Sequence, residues 1–150
     1  MNYSRSVHEF LEKVSSKPKN LVFTNGCFDI LHVGHIRYIQ KSNQLGQCLV
    51  IGLNSDISVK KIKGKSRPIN NENDRAEVLL ALSCVDHVIL FDEDTPFELI
   101  KMLKPDILTK GGDYTKQDIV GYDIVTSYGG KVIVLPFEKG YSSTKIINKL

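Results

Sequence analysis

The fold of this chain is indicated most clearly by the segment Leu21-Val22-Phe23-Thr24-Asn25-Gly26-Cys27-Phe28-Asp29-Ile30-Leu31-His32-Val33-Gly34-His35. It opens with a short apolar run that is typical of a buried strand. An amphipathic helical pattern begins near residue 33 and stops at Gly46, so a strand, a loop and a helix follow one another here. The loop between them carries the residues with the most chemical potential in the chain.

Two histidines stand where that helix begins, His32 and His35, with Gly34 between them. A helix N-terminus presents unpaired N–H groups and a partial positive charge, which together favour an anion. Two imidazoles can donate hydrogen bonds to the same anion, and Gly34 lacks the side chain that would keep a phosphate from the backbone. The pattern predicts a nucleoside triphosphate site; a chance pair of loop histidines is the alternative.

Length and composition favour one ordinary globular domain over 1–150. The net charge of +3 suits small anionic substrates and gives no reason to expect nucleic acid as a partner. Three cysteines without CxxC spacing argue against a disulfide framework and against a zinc site, so no protein-bound metal is predicted. No signal peptide and no apolar run of membrane-spanning length is present, and we expect a cytoplasmic protein with no membrane association.

Apolar strands alternate with helical patterns along the rest of the chain. Strands are expected at about 21–25, 48–53, 85–91, 107–109 and 131–135, and helices at about 5–16, 33–45, 72–83, 96–103, 116–128 and from Ser142. Capping-box spacing marks the helix starts at 6–9 and 95–98. This order predicts a doubly wound α/β fold, with a mostly parallel five-stranded sheet covered by helices on both faces. Such sheets bind ligands beyond the carboxyl ends of their strands.

The two motifs Gly26-Cys27-Phe28-Asp29 and His32-Val33-Gly34-His35 together resemble the signature of the cytidylyltransferase-like nucleotidyltransferases. The resemblance implies transfer of a nucleoside monophosphate to a phosphate acceptor, with release of pyrophosphate. It also implies that His32 and His35 meet the phosphate oxygens on which charge builds during transfer. Asp29 belongs to the motif, and its role stays open between orienting the loop and holding a metal-bound water. Cys27 is expected to fill space, because a nucleophilic thiol would need a lowered pKa.

Basic residues are concentrated over 60–69, which we expect to be a mobile loop following a helical turn at 55–61. A lysine from the corresponding loop reaches the phosphates in the superfamily, which implies this role for Lys63 first and Lys61 second. Arg67 has the fork geometry to grip a phosphate. Arg75 in the next helix is a further candidate, although a surface salt bridge explains it nearly as well. A solvated, flexible surface is the alternative for the whole segment.

Two further segments supply candidate ligand contacts. Ser142, Ser143 and Thr144 place three hydroxyls at a helix start and resemble the second signature of the superfamily, which holds the triphosphate; a plain N-cap by Ser142 is the alternative. Gly111 and Gly112 follow a strand and would let a base or sugar approach the backbone, with Asp113 accepting hydrogen bonds from hydroxyls. A simple tight turn explains these three residues equally well.

One branch of the superfamily is matched more closely. The chain resembles the adenylyltransferases of D-glycero-β-D-manno-heptose 1-phosphate over roughly 20–150. The matching elements, in chain order, are Thr24-Asn25-Gly26, Asn54-Ser55-Asp56, Lys63-Gly64, Arg67-Pro68, Val85-Asp86, Asp94-Thr95-Pro96, Lys110-Gly111-Gly112-Asp113-Tyr114 and Gly129-Gly130. The resemblance implies Mg²⁺ with ATP, ADP-heptose for bacterial lipopolysaccharide or related glycans, a homo-oligomer, and a separate heptose kinase as metabolic neighbour. The chain departs from the branch at Cys27, Thr109, 121–123 and 141–144.

The predicted catalytic residues are His32, His35 and Lys63; the predicted nucleotide-binding residues are Asn25, Gly26, Cys27, Phe28, Asp29, Gly34, Lys61, Arg67, Arg75, Gly111, Gly112, Asp113, Ser142, Ser143 and Thr144. Two alternatives remain open from the residues: a related enzyme such as a glycerol 3-phosphate cytidylyltransferase, and a nucleotide-binding regulatory module without catalysis. No residue pattern here separates ATP from CTP.

Overall fold

The computed structural model of the chain describes residues 2–136 and 139–150. Its strands are β1 (Leu21–Gly26), β2 (Cys48–Asn54), β3 (His87–Phe91), β4 (Ile107–Gly111) and β5 (Lys131–Leu135). Its helices are α1 (Val7–Val14), α2 (Val33–Asn43), α3 (Asp56–Lys63), α4 (Glu72–Leu80), α5 (Phe97–Leu103), α6 (Tyr122–Ser127) and α7 (Ser143–Asn148), with a 3₁₀ turn at Lys116–Asp118. The predicted domain, 1–150, includes residues 1, 137 and 138, which lie outside the described part.

The five strands form one parallel sheet in the order β3-β2-β1-β4-β5, which confirms the predicted doubly wound arrangement. β1 lies in the middle, with Val22 opposite Leu49 of β2 on one side and opposite Ile107 of β4 on the other. The chain builds the sheet outward from β1 in one direction and then crosses over to build it in the other. Such a switch point leaves a crevice between the carboxyl ends of β1 and β4, where ligands bind in folds of this kind.

Helices cover both faces of the sheet, because alternate side chains of each buried strand feed two separate cores. Phe23 of β1 packs in one core with Phe10 of α1 and Ile100 of α5. Its neighbour Val22 packs in the other core with Ile39 of α2. All of these side chains are at most 1% exposed, so the sheet that carries the crevice is rigidly held.

A short N-terminal segment protects one edge of the sheet. The N–H of Ser4 donates to the carbonyl of Val88, and the N–H of Leu90 donates to the carbonyl of Ser4, at 2.9 and 2.8 Å. Ser4 therefore satisfies backbone groups that β3 would otherwise present to a foreign strand. This bridge was not predicted, since a single paired residue leaves no periodic pattern.

The predicted mobile loop over 60–69 is wrong in its first part. Lys60, Lys61 and Lys63 belong to α3, which starts at an N-cap by Ser55 and continues to Lys63. Gly64 ends the helix with a φ of 101°, a conformation that glycine adopts readily. Lysines in the last turn are favourable because they face the negative end of the helix dipole, which explains how a basic run extends a helix instead of forming a loop.

Other predicted boundaries also shift. The predicted helix 116–128 is divided by Gly121, whose φ of 93° interrupts it and leaves the 3₁₀ turn and α6 as separate pieces. The capping box at 95–98 is not formed: Pro96 is the N-cap of α5 and no side chain caps it. β4 runs through Gly111, so the turn begins only at Gly112.

Within 2–136 and 139–150, none of the helices combines the length and the apolar character needed to cross a membrane.

Candidate active site

A cavity of about 570 Å³ opens at the carboxyl ends of β1, β2 and β4. Its wall is formed by Asn25, Gly26, Cys27, Phe28, Asp29, His35, Tyr38, Asn54, Ile62, Lys63, Arg67, Asp94, Thr95, Pro96, Leu108, Thr109, Lys110, Gly111, Tyr114, Asp118, Ile119, Val120 and Ser143. This volume fits a nucleotide-sized ligand. The switch point of the sheet and the sequence motifs therefore meet in one place.

The loop after β1 is shaped by Phe28. Phe28 has a positive φ of 44°, which is uncommon for a residue with a side chain, and the residue is buried, at 7% exposure. The ring lies over Gly26, where an added Cβ would stand 2.8 Å from a ring carbon, and edge-on to the His35 imidazole at 5.3 Å between centroids. Gly26 therefore makes room for Phe28, and Phe28 in turn supports His35.

The two histidines of the motif cap α2 reciprocally. The N–H of His35 donates to Nδ1 of His32, and the N–H of His32 donates to Nδ1 of His35, both at 3.3 Å. Their rings stack with centroids 3.8 Å apart. Because each Nδ1 is an acceptor, the proton of each neutral ring is on Nε2, which is then the donor available to a ligand.

The structure brings His35 into the cavity wall and stacks His32 against it. Burial lowers the pKa of His35 to about 4, and the neighbouring His32 and Lys63 add to this shift. Burial also lowers the pKa of His32. Both rings are thus neutral hydrogen-bond donors at neutral pH, so they offer dipoles and not full charges to an anion.

Gly34 has a structural use besides the predicted one. A Cβ on Gly34 would stand 3.0 Å from two atoms of the His32 ring and 3.0 Å from Cβ of Tyr141. The missing side chain therefore makes room first for the imidazole that caps α2 and for the segment before α7. The access of a phosphate to the backbone at Gly34 stays a prediction.

Asp29 holds the segment after α3 against the motif. Its carboxylate, which is 1% exposed, accepts from the N–H groups of Ile69 and Asn70 and from Nε of Arg67, all at 2.9 Å. Burial raises the pKa of Asp29, but these hydrogen bonds outweigh it and lower the pKa overall. Of the two roles left open for Asp29, the contacts favour orienting a loop over holding a metal-bound water.

Arg75 is buried and its guanidinium is used inside the protein. It donates to the carbonyls of Asn70, Cys27 and Asn54 at 2.7 to 2.9 Å and pairs with Asp56 at 2.9 Å. The side chain is 1% exposed and is not part of the cavity wall as described. The structure therefore places Arg75 as a brace that joins the ends of β1 and β2 to α3, which is neither a phosphate contact nor the surface salt bridge considered as its alternative.

The two predicted lysines differ in position relative to the cavity. Lys63, at the end of α3, lies in the cavity wall, whereas Lys61 is exposed and outside the wall as described. Of the glycine turn, Gly111 reaches the wall, and Gly112 and the exposed Asp113 lie beyond it.

The hydroxyl run divides in a similar way. Ser142 is the N-cap of α7 and accepts from the N–H of Lys145 at 2.9 Å, as the plain alternative requires. Ser143 lies in the cavity wall, and its hydroxyl donates to the carbonyl of Ile30 at 2.7 Å. Thr144 follows in the first turn and is exposed. The run thus ties α7 to the loop before α2, which brings the two segments together.

Comparison with known proteins identifies this arrangement. A model of the family described as cytidylyltransferase-like matches residues 23–149, which includes most of β1, the strands β2 to β5 and the whole cavity wall. The chain belongs to the cytidylyltransferase-like family. It is therefore a nucleotidyltransferase, as the paired motifs predict.

Individual relatives agree with the family. The chain is 54% identical over 145 residues to the bifunctional protein HldE of Syntrophotalea carbinolica, which covers 97% of this chain and 30% of that protein. It thus spans about a third of the curated relatives it matches. Among solved structures, a lipopolysaccharide core biosynthesis protein from Thermoplasma volcanium is 33% identical with a TM-score of 0.64, over 81% of this chain and 98% of that one. A pantoate-beta-alanine ligase from Francisella tularensis, 18% identical with a TM-score of 0.66 over 99% and 77%, shares the fold.

Several wall residues of this cytidylyltransferase-like chain were not among the predicted site residues. Lys110 is the second-last residue of β4 and lies in the wall, with its ammonium 5.4 Å from the centroid of the Tyr114 ring. Burial lowers the pKa of Lys110, and Cys27 counteracts this shift. Tyr38 lies one helical turn after His35 and on the same face of α2. The sequence could have identified both as site residues: Lys110 lies near the carboxyl end of a predicted strand, and Tyr38 follows His35 by three residues in a predicted helix.

A buried hydroxyl network lies in the floor of the cavity and includes Thr109, one of the departures from the heptose branch. Thr109 Oγ1 bonds to Ser42 Oγ at 3.0 Å and to the Tyr38 hydroxyl at 3.3 Å, and Thr24 Oγ1 bonds to the same tyrosine hydroxyl. The Thr109 hydroxyl therefore joins α2 to β4, where a valine would leave Ser42 without this partner.

Cys27 also lies in the wall, and burial raises the pKa of its thiol, an effect that the nearby cations Lys63, Arg75 and Arg67 only partly offset. A protonated thiol is a poor nucleophile. This agrees with a space-filling role.

Proposed function

We propose that this chain transfers AMP from ATP to D-glycero-β-D-manno-heptose 1-phosphate and releases pyrophosphate. The observation that carries the proposal is the convergence of His35, Lys63, Arg67 and Lys110 on one nucleotide-sized cavity at the switch point of the sheet. The choice of a heptose phosphate is supported by the likeness to HldE and by the branch motifs of the sequence. The product, ADP-heptose, would serve the synthesis of lipopolysaccharide or a related glycan.

In this reaction the protein has to position the two substrates and stabilise negative charge on the phosphate oxygens, and it does not have to transfer a proton. An oxygen of the acceptor phosphate attacks the α-phosphorus of ATP, the bond from that phosphorus to the bridging oxygen of the β-phosphate breaks, and pyrophosphate leaves with the electron pair. The attacking oxygen is already ionised at neutral pH, so no general base is needed. Neutral histidines are therefore suited to this site as hydrogen-bond donors.

His35 and Lys63 take complementary roles in this proposal. Nε2–H of His35 donates to a non-bridging phosphate oxygen, on which negative charge increases as the transition state forms. Lys63 supplies a full positive charge from the end of α3 and stabilises the pyrophosphate as it departs. His32 fixes the His35 ring by the reciprocal cap, and its own Nε2–H is a second donor.

Mg²⁺ is proposed as part of the nucleotide substrate, MgATP. Among the described residues, no three His, Cys, Asp or Glu side chains are grouped as a protein-held metal site would require. Mg²⁺ commonly binds through phosphate oxygens and water with one or two carboxylates, and Asp94 and Asp118 are carboxylates of the cavity wall. Asp29 is less suited to this role because its oxygens already accept hydrogen bonds from three protein groups.

The cellular setting is proposed on the resemblance to the heptose branch. The acceptor, a sugar 1-phosphate, would be supplied by a separate heptose kinase reaction, and a homo-oligomer is expected. Oligomeric state is measured directly by light scattering of the purified chain, where a monomer at micromolar concentration would contradict that expectation.

The proposal is tested by pyrophosphate release from the purified chain with Mg²⁺. ATP and CTP are each offered with heptose 1-phosphate, another sugar 1-phosphate and glycerol 3-phosphate. We expect release with ATP and heptose 1-phosphate at least tenfold above every other pair. Release with CTP and glycerol 3-phosphate would instead assign the chain to that sister activity, and nucleotide binding without release from any pair would favour a regulatory module.

A further inference from the structure

Arg67 combines a fixed guanidinium with an unused donor. Its side chain is 11% exposed and lies in the cavity wall, and its Nε donates to Oδ2 of Asp29 at 2.9 Å. Its Nη2 atom is buried and has no hydrogen-bond partner within the part of the chain that the structure describes. A buried donor without a partner is costly, and native proteins retain few of them unless a ligand supplies the acceptor.

The support behind Arg67 is extensive. Asp29 accepts from the N–H groups of Ile69 and Asn70 as well as from Arg67, and its own carbonyl accepts from Nδ2 of Asn70 at 2.7 Å. The carbonyl of Asn70 in turn accepts from Nε of the buried Arg75 at 2.9 Å. The segment that carries Arg67 is therefore fastened to the motif after β1 at several points, and the free side of the guanidinium is held in one place.

We propose that the guanidinium of Arg67, whose Nη2 has no acceptor among the described residues, binds a phosphate oxygen of the substrate, with Asp29 acting as the positioning residue. A guanidinium whose Nε is held by a carboxylate can still present its terminal nitrogens to a second anion, in the planar geometry that suits a phosphate. Lys63 lies in the same wall, so an incoming phosphate meets two cations. In this proposal Asp29 orients the guanidinium of Arg67 towards the phosphate.

Two substrates could supply the phosphate that Arg67 binds: the nucleotide, through its triphosphate, and the acceptor, through its single phosphate. Both present the same oxygen chemistry to Arg67, and steady-state kinetics separates them. The assignment to particular substrates rests on the proposed transferase function. The binding of a phosphate by Arg67 does not, because inorganic pyrophosphate probes it without turnover.

The kinetic test compares Arg67→Lys and Arg67→Met with Lys65→Met. Lys65 is an exposed cation two residues away that is outside the cavity wall as described, so its variant controls for a general loss of charge. Losing a charge-assisted hydrogen bond should raise one KM by about 10- to 100-fold in both Arg67 variants. A rise in KM for ATP assigns the nucleotide phosphate, and a rise in KM for the sugar phosphate assigns the acceptor. Both constants within twofold of wild type would overturn the proposal.

Asp29→Asn tests the positioning role. It keeps the size of the side chain but removes the charge that holds Arg67, so we expect the same KM to rise with kcat changed less than threefold. Combining it with Arg67→Met should add little, because one removes what the other positions. Additive effects of the two changes would show that Asp29 acts independently of Arg67 and would overturn the positioning role.

Calorimetry with inorganic pyrophosphate tests phosphate binding by Arg67 separately from the proposed transferase function. Each variant is first checked for a cooperative thermal transition, and Arg67→Lys serves if Arg67→Met does not fold. Weaker pyrophosphate binding by the Arg67 variant, in a protein that shows no transferase activity, would retain Arg67 as a phosphate ligand and reject the transferase. Equal pyrophosphate binding by wild type and variant, or none by either, would overturn the role of Arg67.

Discussion

His32 and His35 each accept the backbone N–H of the other through Nδ1, at 3.3 Å, while their rings stack at 3.8 Å. The pair replaces the usual hydroxyl and carboxylate of a capping box with two imidazoles. One arrangement thus starts α2, sets both tautomers and leaves Nε2–H of His35, a residue of the cavity wall, as a free donor for a ligand. The same two side chains therefore cap α2 and provide hydrogen-bond donors for the site.

Replacing His35 with alanine should lower kcat by about 10²- to 10³-fold, the usual cost of removing one preorganised donor to a developing charge. Pyrophosphate release measures this, and the far-ultraviolet circular dichroism spectrum checks that the fold is kept. His8→Ala is the matched control, because the His8 side chain is 82% exposed and lies on α1. Normal release by a folded His35→Ala protein would remove His35 from the catalytic residues.

The lowered pKa of His35 makes stability depend on pH. The pKa of the ring has its ordinary value of 6.5 in the unfolded chain, and burial lowers that pKa to about 4 in the folded protein. The unfolded chain therefore binds the extra proton between these values, so this contribution to stability is complete above about pH 6.5 and is lost as the pH falls towards 4. Urea unfolding at pH 7.5, 5.5 and 4.5 measures it.

The comparison with His35→Asn isolates this contribution, since His32 and His87 also have lowered pKa values and remain in both proteins. The free energy of unfolding should fall more steeply for wild type than for His35→Asn over this range. Parallel curves for the two proteins would show that His35 titrates normally in the folded state.

Lys63→Ala should reduce turnover by about 10²-fold, because it removes the cation that α3 contributes to the cavity wall. Lys60→Ala is the matched control: Lys60 stands almost one turn earlier in the same helix and is exposed. Turnover under saturating substrates distinguishes the two positions. Equal activity of both variants would mean that the charge of α3 acts only as a solvated surface.

Arg75→Met should destabilise the fold by about 3–5 kcal/mol, since it removes a buried partner of Asp56 and leaves three carbonyls without their donor. Arg5→Met is the control, because the ion pair of Arg5 with Glu72 has an arginine that is 53% exposed and contributes at most about 1 kcal/mol. Chemical unfolding gives both values. A loss below 1 kcal/mol for Arg75→Met would contradict its role as a brace.

The sheet was predictable because its strands are apolar runs separated by helical patterns. Cys48–Asn54 is buried throughout and has a nearly continuous apolar sequence, as a central parallel strand requires. Gly121 shows where pattern reading fails: the sequence around it is compatible with one helix, and only its positive φ, packed beside the Ile100 side chain, divides that helix. Tertiary packing decides such boundaries.

The site was predictable where spacing dictates placement and not where a side chain is turned inward. His35 and Lys63 reach the cavity because a helix start and a helix end point them there. Arg67 and Arg75 are both arginines near the basic segment, yet Arg67 lines the cavity while Arg75 is consumed by backbone carbonyls of three separate segments. Those acceptors come together only in the folded chain, so no local pattern distinguishes the two.

The central claim is the transfer of AMP to a heptose 1-phosphate, and mass spectrometry of the product tests it most directly. The purified chain is incubated with MgATP and D-glycero-β-D-manno-heptose 1-phosphate, and the nucleotides are separated and weighed. We predict ADP-heptose and pyrophosphate in equal amounts, with both formed about 10²- to 10³-fold more slowly by the His35→Ala protein. Consumption of ATP to AMP or ADP with the sugar phosphate unchanged would contradict the claim.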